Sequence, residues 1–359
     1  DQNSGVITTV AGTPGIRGYD GDGRKPKEAR LYYPSCITFS PDRQSVYIVD
    51  YFNSRIRMVR DGVITTVAGN GTPGYERDGD RAISTQLNYA SSMVVLPNGE
   101  LVISDTLNHR IRKVGLDGTI STIAGTGMRT EEKGSLGDGG LATSATLNFP
   151  EGIVANENGD IFFADRGNYR IRKIDVGGRI TTVVGTGTLG ATGDNEPANQ
   201  ALIGEIKGLA INSAGDLFMA DQSNHCVRKV SAASQIITTV AGMCDPRNGG
   251  YSGDNIPATT ALLNTPMGVA VTNTGEIIIA DASNHRIRKV AVNGMINTIA
   301  GNGVDGFSGE SGLAIDTMLN IPTGVVVNVT GDIIISDAGN HQIRKVDKNG
   351  IITVIAGRG

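Results

Sequence analysis

Six segments of one pattern run through the chain: DYFNSRIRMV, DTLNHRIRKV, DRGNYRIRKI, DQSNHCVRKV, DASNHRIRKV and DAGNHQIRKV, beginning at Asp50, Asp105, Asp165, Asp221, Asp281 and Asp337. Their spacings are 55, 60, 56, 60 and 56 residues. A fixed period marks a repeat architecture, and these units are longer than leucine-rich or ankyrin repeats. Each unit carries an apolar run such as GIVAN, a turn NGD, a second run such as DIFFAD, a third such as RIRKI and a last such as ITTVVG. Four short runs separated by turn residues read as four strands, a to d, of one antiparallel sheet. Such a sheet has two apolar faces, and six of them bury both faces only by stacking around an axis. The expected fold is all-β: a six-bladed β-propeller of four-stranded antiparallel blades, strand a on the axis, strand d outside, and long d-to-a loops on one face. Fifty glycines in 359 residues suit that many tight turns. Residues 1–359 read as a single domain, and a start at Asp1 rather than Met points to excision or processing from a longer chain.

The long loops are patterned as well. Twelve residues before the start of each strand a stands an acid, Asp22, Asp78, Asp138, Asp194, Asp254 or Glu310, and three residues before it an aliphatic, Leu31, Leu87, Leu147, Ile203, Leu263 or Leu319. Between them, stretches such as GGLATSATL predict one short helical turn, with the acid capping exposed amides and the aliphatic pinned inward. The strand-d motif occurs seven times, from Ile7, Ile64, Ile120, Ile180, Ile237, Ile296 and Ile352, against six copies of strands a to c. The surplus predicts either that Ile7–Val10 pair with the last blade near Ile352–Ile355 as an extra outer strand, or that they are the remnant of a larger chain. The joint recurrence of D..N(H/Y)RIRK, GDGG.AT.A.L..P.G and ITTVAG resembles the NHL repeat, and six copies resemble the six-bladed NHL propellers. That resemblance covers essentially the whole chain and implies the fold. For function it implies protein binding, RNA binding or, in a minority of such propellers, lyase chemistry.

The charged residues of the repeat read mostly as scaffold. Each leading Asp and the Asn three residues on suit a tight b-to-c turn, where Asx side chains satisfy backbone amides. The Arg seven residues after each Asp (Arg57, Arg112, Arg172, Arg228, Arg288, Arg344) lies inside strand c between apolar neighbours, so it requires a carboxylate or carbonyl partner within or between blades. With the Arg two residues earlier and the adjacent Lys, strand c absorbs 15 of the 32 basic residues. The formal net charge of −4 and interspersed signs give no global field for nucleic acid, leaving one small basic stretch, GRKPKEAR, with Arg24, Lys25 and Lys27. This charge pattern argues against nucleic acid as a partner, and no apolar run is long enough to span a bilayer.

Strand a begins at the axis, so the residues two before its first hydrophobe form the channel rim: Ser35, Ser91, Glu151, Lys207, Met267 and Thr323. That ring predicts a Glu151–Lys207 ion pair and lacks the donor cluster that calcium or zinc needs. His109, His225, His285 and His341 occupy equivalent repeat positions, which spreads them around a ring rather than gathering them on one ion. No catalytic set, metal site or cofactor follows from these residues. A metal-dependent lyase or hydrolase using the axial channel is kept as an alternative, as is an RNA-binding NHL domain.

Cys226 replaces the first Arg of strand c in the fourth unit, and Cys244 lies in the insertion MCDPRNGGY just past strand d. The readings are a Cys226–Cys244 disulfide, which favours an extracellular or cell-surface setting without excluding the cytoplasm, or two unrelated thiols. Cys36 replaces a repeat glycine and reads as a buried thiol. NGT at Asn70 and NVT at Asn328 permit glycosylation. Among the aromatics, Tyr19, Tyr75, Tyr251 and Phe307 share one repeat slot, and Tyr33, Tyr89 and Phe149 another, so these read as packing. Tyr32, Tyr51 and Phe52 are peculiar to the first unit. They either fold over the first long loop or, flanked by Leu107 and by Arg24, Lys25 and Lys27, form a top-face patch for a protein or other macromolecular ligand. The expected function is a non-enzymatic binding, adhesion or scaffold module.

Overall fold

The computed structural model describes residues 18–20, 22–129, 136–309 and 311–356. Six sheets surround an axis, and each is built from consecutive strands. The first blade runs Pro34–Phe39, Ser45–Asp50, Arg55–Arg60 and Val63–Ala68, and the last runs Pro322–Val327, Ile333–Asp337, Gln342–Val346 and Ile351–Ala356. The expected blade count, strand order and antiparallel pairing are all present.

Apolar side chains from facing blades and from the intervening loop form six clusters, one per blade boundary. The ring closes in the same way: Ile334 and Ile343 of the sixth blade pack with Leu31, Ile37, Ile48 and Ile64 of the first. Among the described residues no strand is exchanged between the termini, and the expected pairing of Ile7–Val10 falls outside them. The outer edge of the last blade at Ile351, Ile352 and Thr353 is paired instead by Leu313, Gly312 and Ser311 of the preceding loop.

That pairing explains the loops. After each strand d the chain crosses to the outer edge of the next blade, where its backbone bonds the start of that blade's strand d. Ile64 N donates to Arg24 O (3.1 Å), Ile120 N to Asp80 O (3.0 Å) and Ile180 N to Gly140 O (3.1 Å). The exposed edge of every such sheet is thereby covered, which removes a template for edge-to-edge association. The short helical turn is present as a 3-10 turn, for example Ala142–Ser144 and Ala258–Thr260, and the aliphatic after it is buried in all six loops. No helix among the described residues is long and apolar enough to cross a membrane.

Candidate functional site

The repeated charges form closed sets. Arg112 has no exposed side-chain surface and lies between Asp105 (3.3 Å) and Asp78 (3.0 Å); Arg57 and Arg172 are held alike by Asp50 and Asp22, and by Asp165 and Asp138. Glu310 lies outside the described residues. In the five loops where it is described the loop acid therefore binds buried Arg and, in three of them, a strand-d amide, for example Thr66 N at 3.1 Å from Asp22. It does not cap the 3-10 turn, as the sequence pattern suggested, because the turn has no side-chain cap. A buried guanidinium attracts a carboxylate more strongly than a solvated turn amide does. Each leading Asp also orders its turn: Asp105 accepts from Asn88 N and Asn108 Nδ2, both at 2.8 Å. The strand-c lysines pair with the acid that opens strand b, as Lys113 does with Glu100 (2.8 Å) and Lys229 with Asp216 (2.7 Å).

The histidines serve the scaffold too. Each closes its b-to-c turn in the left-handed region, with φ between 51° and 55°. Three of them accept a backbone amide from the next blade through Nδ1: His109 from Phe149 (3.1 Å), His225 from Thr265 (3.0 Å) and His285 from Ile321 (3.3 Å). Burial holds the imidazoles of His109 and His225 below the usual histidine pKa, which keeps them neutral acceptors. No group of three His, Cys, Asp or Glu among the described residues is placed to hold a metal ion.

The axial channel encloses about 820 Å3. Its rim contains the predicted residues, and the Glu151–Lys207 pair forms at 2.7 Å. Arg166, which opens the third b-to-c turn, joins it: Nε lies 3.0 Å from Glu151 and Nη1 2.7 Å from Glu205, whose carboxylate also accepts from Gln222 Nε2 at 3.1 Å. Tyr33, Tyr51 and Phe52 line the same cavity. Tyr51 packs on Phe52 (5.0 Å between centroids) and on Tyr89 (5.3 Å), and Phe52 on Tyr32 (4.8 Å) and Tyr33 (5.4 Å). Phe52 remains 43% exposed and Leu107, in the neighbouring turn, 40%. Burial raises the Tyr51 hydroxyl pKa, with the Glu151 carboxylate adding to the effect, so the phenol stays neutral.

The structure thus merges the aromatic patch with the channel rim and separates it from the basic stretch. Arg24 bonds Ile64 at the outermost strand, and Lys25 starts the 3-10 turn Pro26–Glu28, which contains Lys27. These residues lie at the blade's outer edge, not beside Tyr51 and Phe52. The shared slot of Tyr19, Tyr75 and Tyr251 is packing, as read: Arg55, Arg110 and Arg286 lie over the three rings at 3.5, 3.8 and 3.9 Å. Cys36 is not sealed in the core; it is half-buried on the channel wall, 3.7 Å from Ser92 Oγ. Cys36 and Ser92 occupy the position that is Gly152, Gly208, Gly268 and Gly324 elsewhere. A Cβ on Gly268 would meet Thr323 O at 2.7 Å, so the inner strands approach too closely for a side chain there but leave room in the first two blades.

Cys226 and Cys244 are joined as a disulfide. Its place in the repeat was not read from sequence. In four other blades the first Arg of strand c donates to the residue after the strand-d glycine, as Arg110 does to Thr126 O (2.8 Å) and Arg286 to Asn302 O (2.8 Å). The next residue, Gly71, Gly127, Gly187 or Gly303, has no room for a Cβ because the guanidinium occupies the space. In the fourth blade Cys226 stands for that Arg and Cys244 for that Gly, with Ala191 in the aromatic slot. One covalent link replaces the Arg link.

A family model for the Teneurin NHL domain matches residues 115–199 and 226–306, and one for the NHL repeat matches 319–346. The chain belongs to the NHL-repeat family. Teneurin-1 of Gallus gallus is 30% identical over 355 residues, covering 89% of this chain but 13% of its own. This NHL propeller therefore spans about an eighth of that relative's length. Among solved structures, an auxiliary nutrient binding protein from Bacteroides thetaiotaomicron superposes with a TM-score of 0.67 at 16% identity, over 97% of this chain and 76% of that one. Virginiamycin B lyase from Staphylococcus aureus gives 0.53 at 17% identity, over 90% and 84%. At these identities the structural likeness establishes the fold alone. Within the NHL frame, Tyr51, Phe52, Glu151 and Lys207 line the mouth and depart from the repeat, and Arg166 reaches Glu151 from the third b-to-c turn. Arg166 could have been found from sequence, as the one guanidinium in a turn position that is otherwise Tyr, Thr, Gln or Ala.

Proposed function

We propose that this propeller is a non-enzymatic module that binds a protein partner through the mouth built on Tyr51 and Phe52, in an extracellular or cell-surface setting. The cluster of five aromatic rings at one sector of the mouth, with Phe52 43% exposed, carries this reading. Rigid aromatic side chains supply contact area at low entropic cost and are enriched among interface anchors. Groups that a lyase would use are committed elsewhere: three imidazoles accept amides across blade boundaries, and Glu151 is held between Arg166 and Lys207. The strand-c cations that suggest RNA are likewise spent on carboxylates and carbonyls. The disulfide supports an oxidising compartment. The paired substitution Tyr51→Ser and Phe52→Ser should abolish capture of the partner by the immobilised propeller while leaving Tm within a few degrees. Full retention of capture, or a large loss of stability, overturns the reading.

A further inference from the structure

We infer that His109 and His225 form a proton-sensitive lock on the channel rim: acidification removes their Nδ1 acceptors and frees the strand-a entrances of the third and fifth blades. This goes beyond the binding reading and stands or falls without it. The imidazole of His109 accepts the amide of Phe149 at 3.1 Å, and that of His225 the amide of Thr265 at 3.0 Å, each bond crossing from one blade to the next. Phe149 and Thr265 directly precede Pro150 and Pro266, which open strand a. The rim residues Glu151 and Met267 follow one step later. Both entrances are held in a costly conformation, with φ 49° at Phe149 and 47° at Thr265. The left-handed region disfavours any side chain, a β-branched one most, and persists only where surrounding contacts fix it. The bond to the imidazole is one such contact.

An imidazole that accepts at Nδ1 carries its proton at Nε2, and a second proton sets donor against donor. The adjacent amides respond differently. Asn148 N and Asn264 N donate to Asp165 and Asp281, both at 2.7 Å, and a carboxyl keeps an acceptor oxygen even when protonated. Burial lowers the pKa of both imidazoles, so the opened chain takes the proton first. Their stabilisation is therefore present above the unfolded value, about 6.5, and is lost as pH falls through the folded one. The surroundings of the two rings differ. At His109, Arg129 of the long loop and Arg110 of strand c add to burial in opposing the cation, and Arg166 lies 5.5 Å from the Phe149 ring. At His225 burial is offset by the Pro246 carbonyl, which accepts from the imidazole, and by the Asp245 carboxylate, both in the insertion past strand d. His225 therefore titrates at higher pH than His109. The fourth blade supplies an internal control: the corresponding amide, Glu205 N, donates to Ser223 Oγ at 3.1 Å, and a serine hydroxyl does not titrate in this range.

NMR of the intact propeller from about pH 7.5 down to about pH 4.5 tests this by following imidazole titration and amide exchange protection together. Acid should lower the protection factors of Phe149 N and Thr265 N about fivefold relative to Glu205 N, the order expected for one lost hydrogen bond. The loss should come at higher pH for Thr265, in step with His225. His109→Asn and His225→Asn replace each imidazole by a side chain that does not titrate and that tolerates the left-handed turn, φ 51° and 55° at these positions. Each variant should abolish the acid-dependent loss at its own amide and leave the other unchanged. Equal behaviour of all three amides in the parent protein would overturn the inference. So would His109 titrating above His225, or an acid-dependent loss that persists in the Asn variants. The first two comparisons need no variant, so a substitution that fails to fold leaves the test in force.

Discussion

Substituting Arg112→Met removes one cation from a buried set and little else, since methionine fills much of the same slender volume. The carboxylate left behind, Asp105, has no exposed surface and keeps two donors, Asn88 N and Asn108 Nδ2, both at 2.8 Å. Breaking one side of a buried pair costs about 3–5 kcal/mol, and the two remaining donors argue for the lower end, about 3 kcal/mol. For a domain of this size roughly 2 °C accompanies each kcal/mol, so Tm should fall by about 6 °C near neutral pH. The pH dependence sharpens the test. Burial pushes the Asp105 carboxyl up to about 6 from an ordinary 3.8. A group raised in the folded state contributes stability that is fully present below its unfolded pKa and lost as pH rises through the folded one. Arg112 opposes that rise, so without it the folded pKa moves higher and the loss continues further up the scale. Urea denaturation at about pH 5 and pH 8 should show the gap between parent and variant widening with pH. An equal gap at both values, or no gap, would refute the assignment of Arg112 as the counterion of Asp105.

Two further outcomes follow from the repeat geometry. Cys226→Ser should cost about 3 kcal/mol, the chain-entropy value for a loop near 18 residues; Cys226→Arg with Cys244→Gly should recover much of that by restoring the link used in other blades, and calorimetry showing no recovery would sink the equivalence. Gly268→Ala should lower Tm by several degrees because its Cβ meets Thr323 O at 2.7 Å, whereas Ser92→Gly at the equivalent position should change Tm little.

The fold was legible because the repeat supplied period, turn chemistry and burial together. Asp105, Asn108 and Arg112 recur with the same offsets, and only a scaffold requires one arrangement six times. The loop acids were misread as caps because sequence offers no distance between Asp78 and Arg112 across a 34-residue separation, and the nearer amides looked like the obvious donors. The mouth was half legible. Tyr51 and Phe52 stood out as departures from the repeat, and the ring from Ser35 to Thr323 followed from strand register. That the two share one cavity depends on how far the b-to-c turns lean over the axis, which no pattern encodes. For the same reason Arg24 and Lys25 were grouped with aromatics from which strands c and d separate them: adjacency in the chain is not adjacency on a blade. Cys244 carried a signal that went unread, because aligning it with Gly127 shows both halves of the Arg–Gly pair replaced at once.

Hydroxyl-radical footprinting of the propeller with its captured partner tests the central claim most directly. Tyr51, Phe52 and Leu107 at the mouth are compared with Leu116 and Val176, both 78% exposed in c-to-d turns at the other end of their blades. Protection of Tyr51 and Phe52 with Leu116 and Val176 unchanged is the predicted result; protection of Leu116 and Val176 with the mouth aromatics still reactive would contradict it.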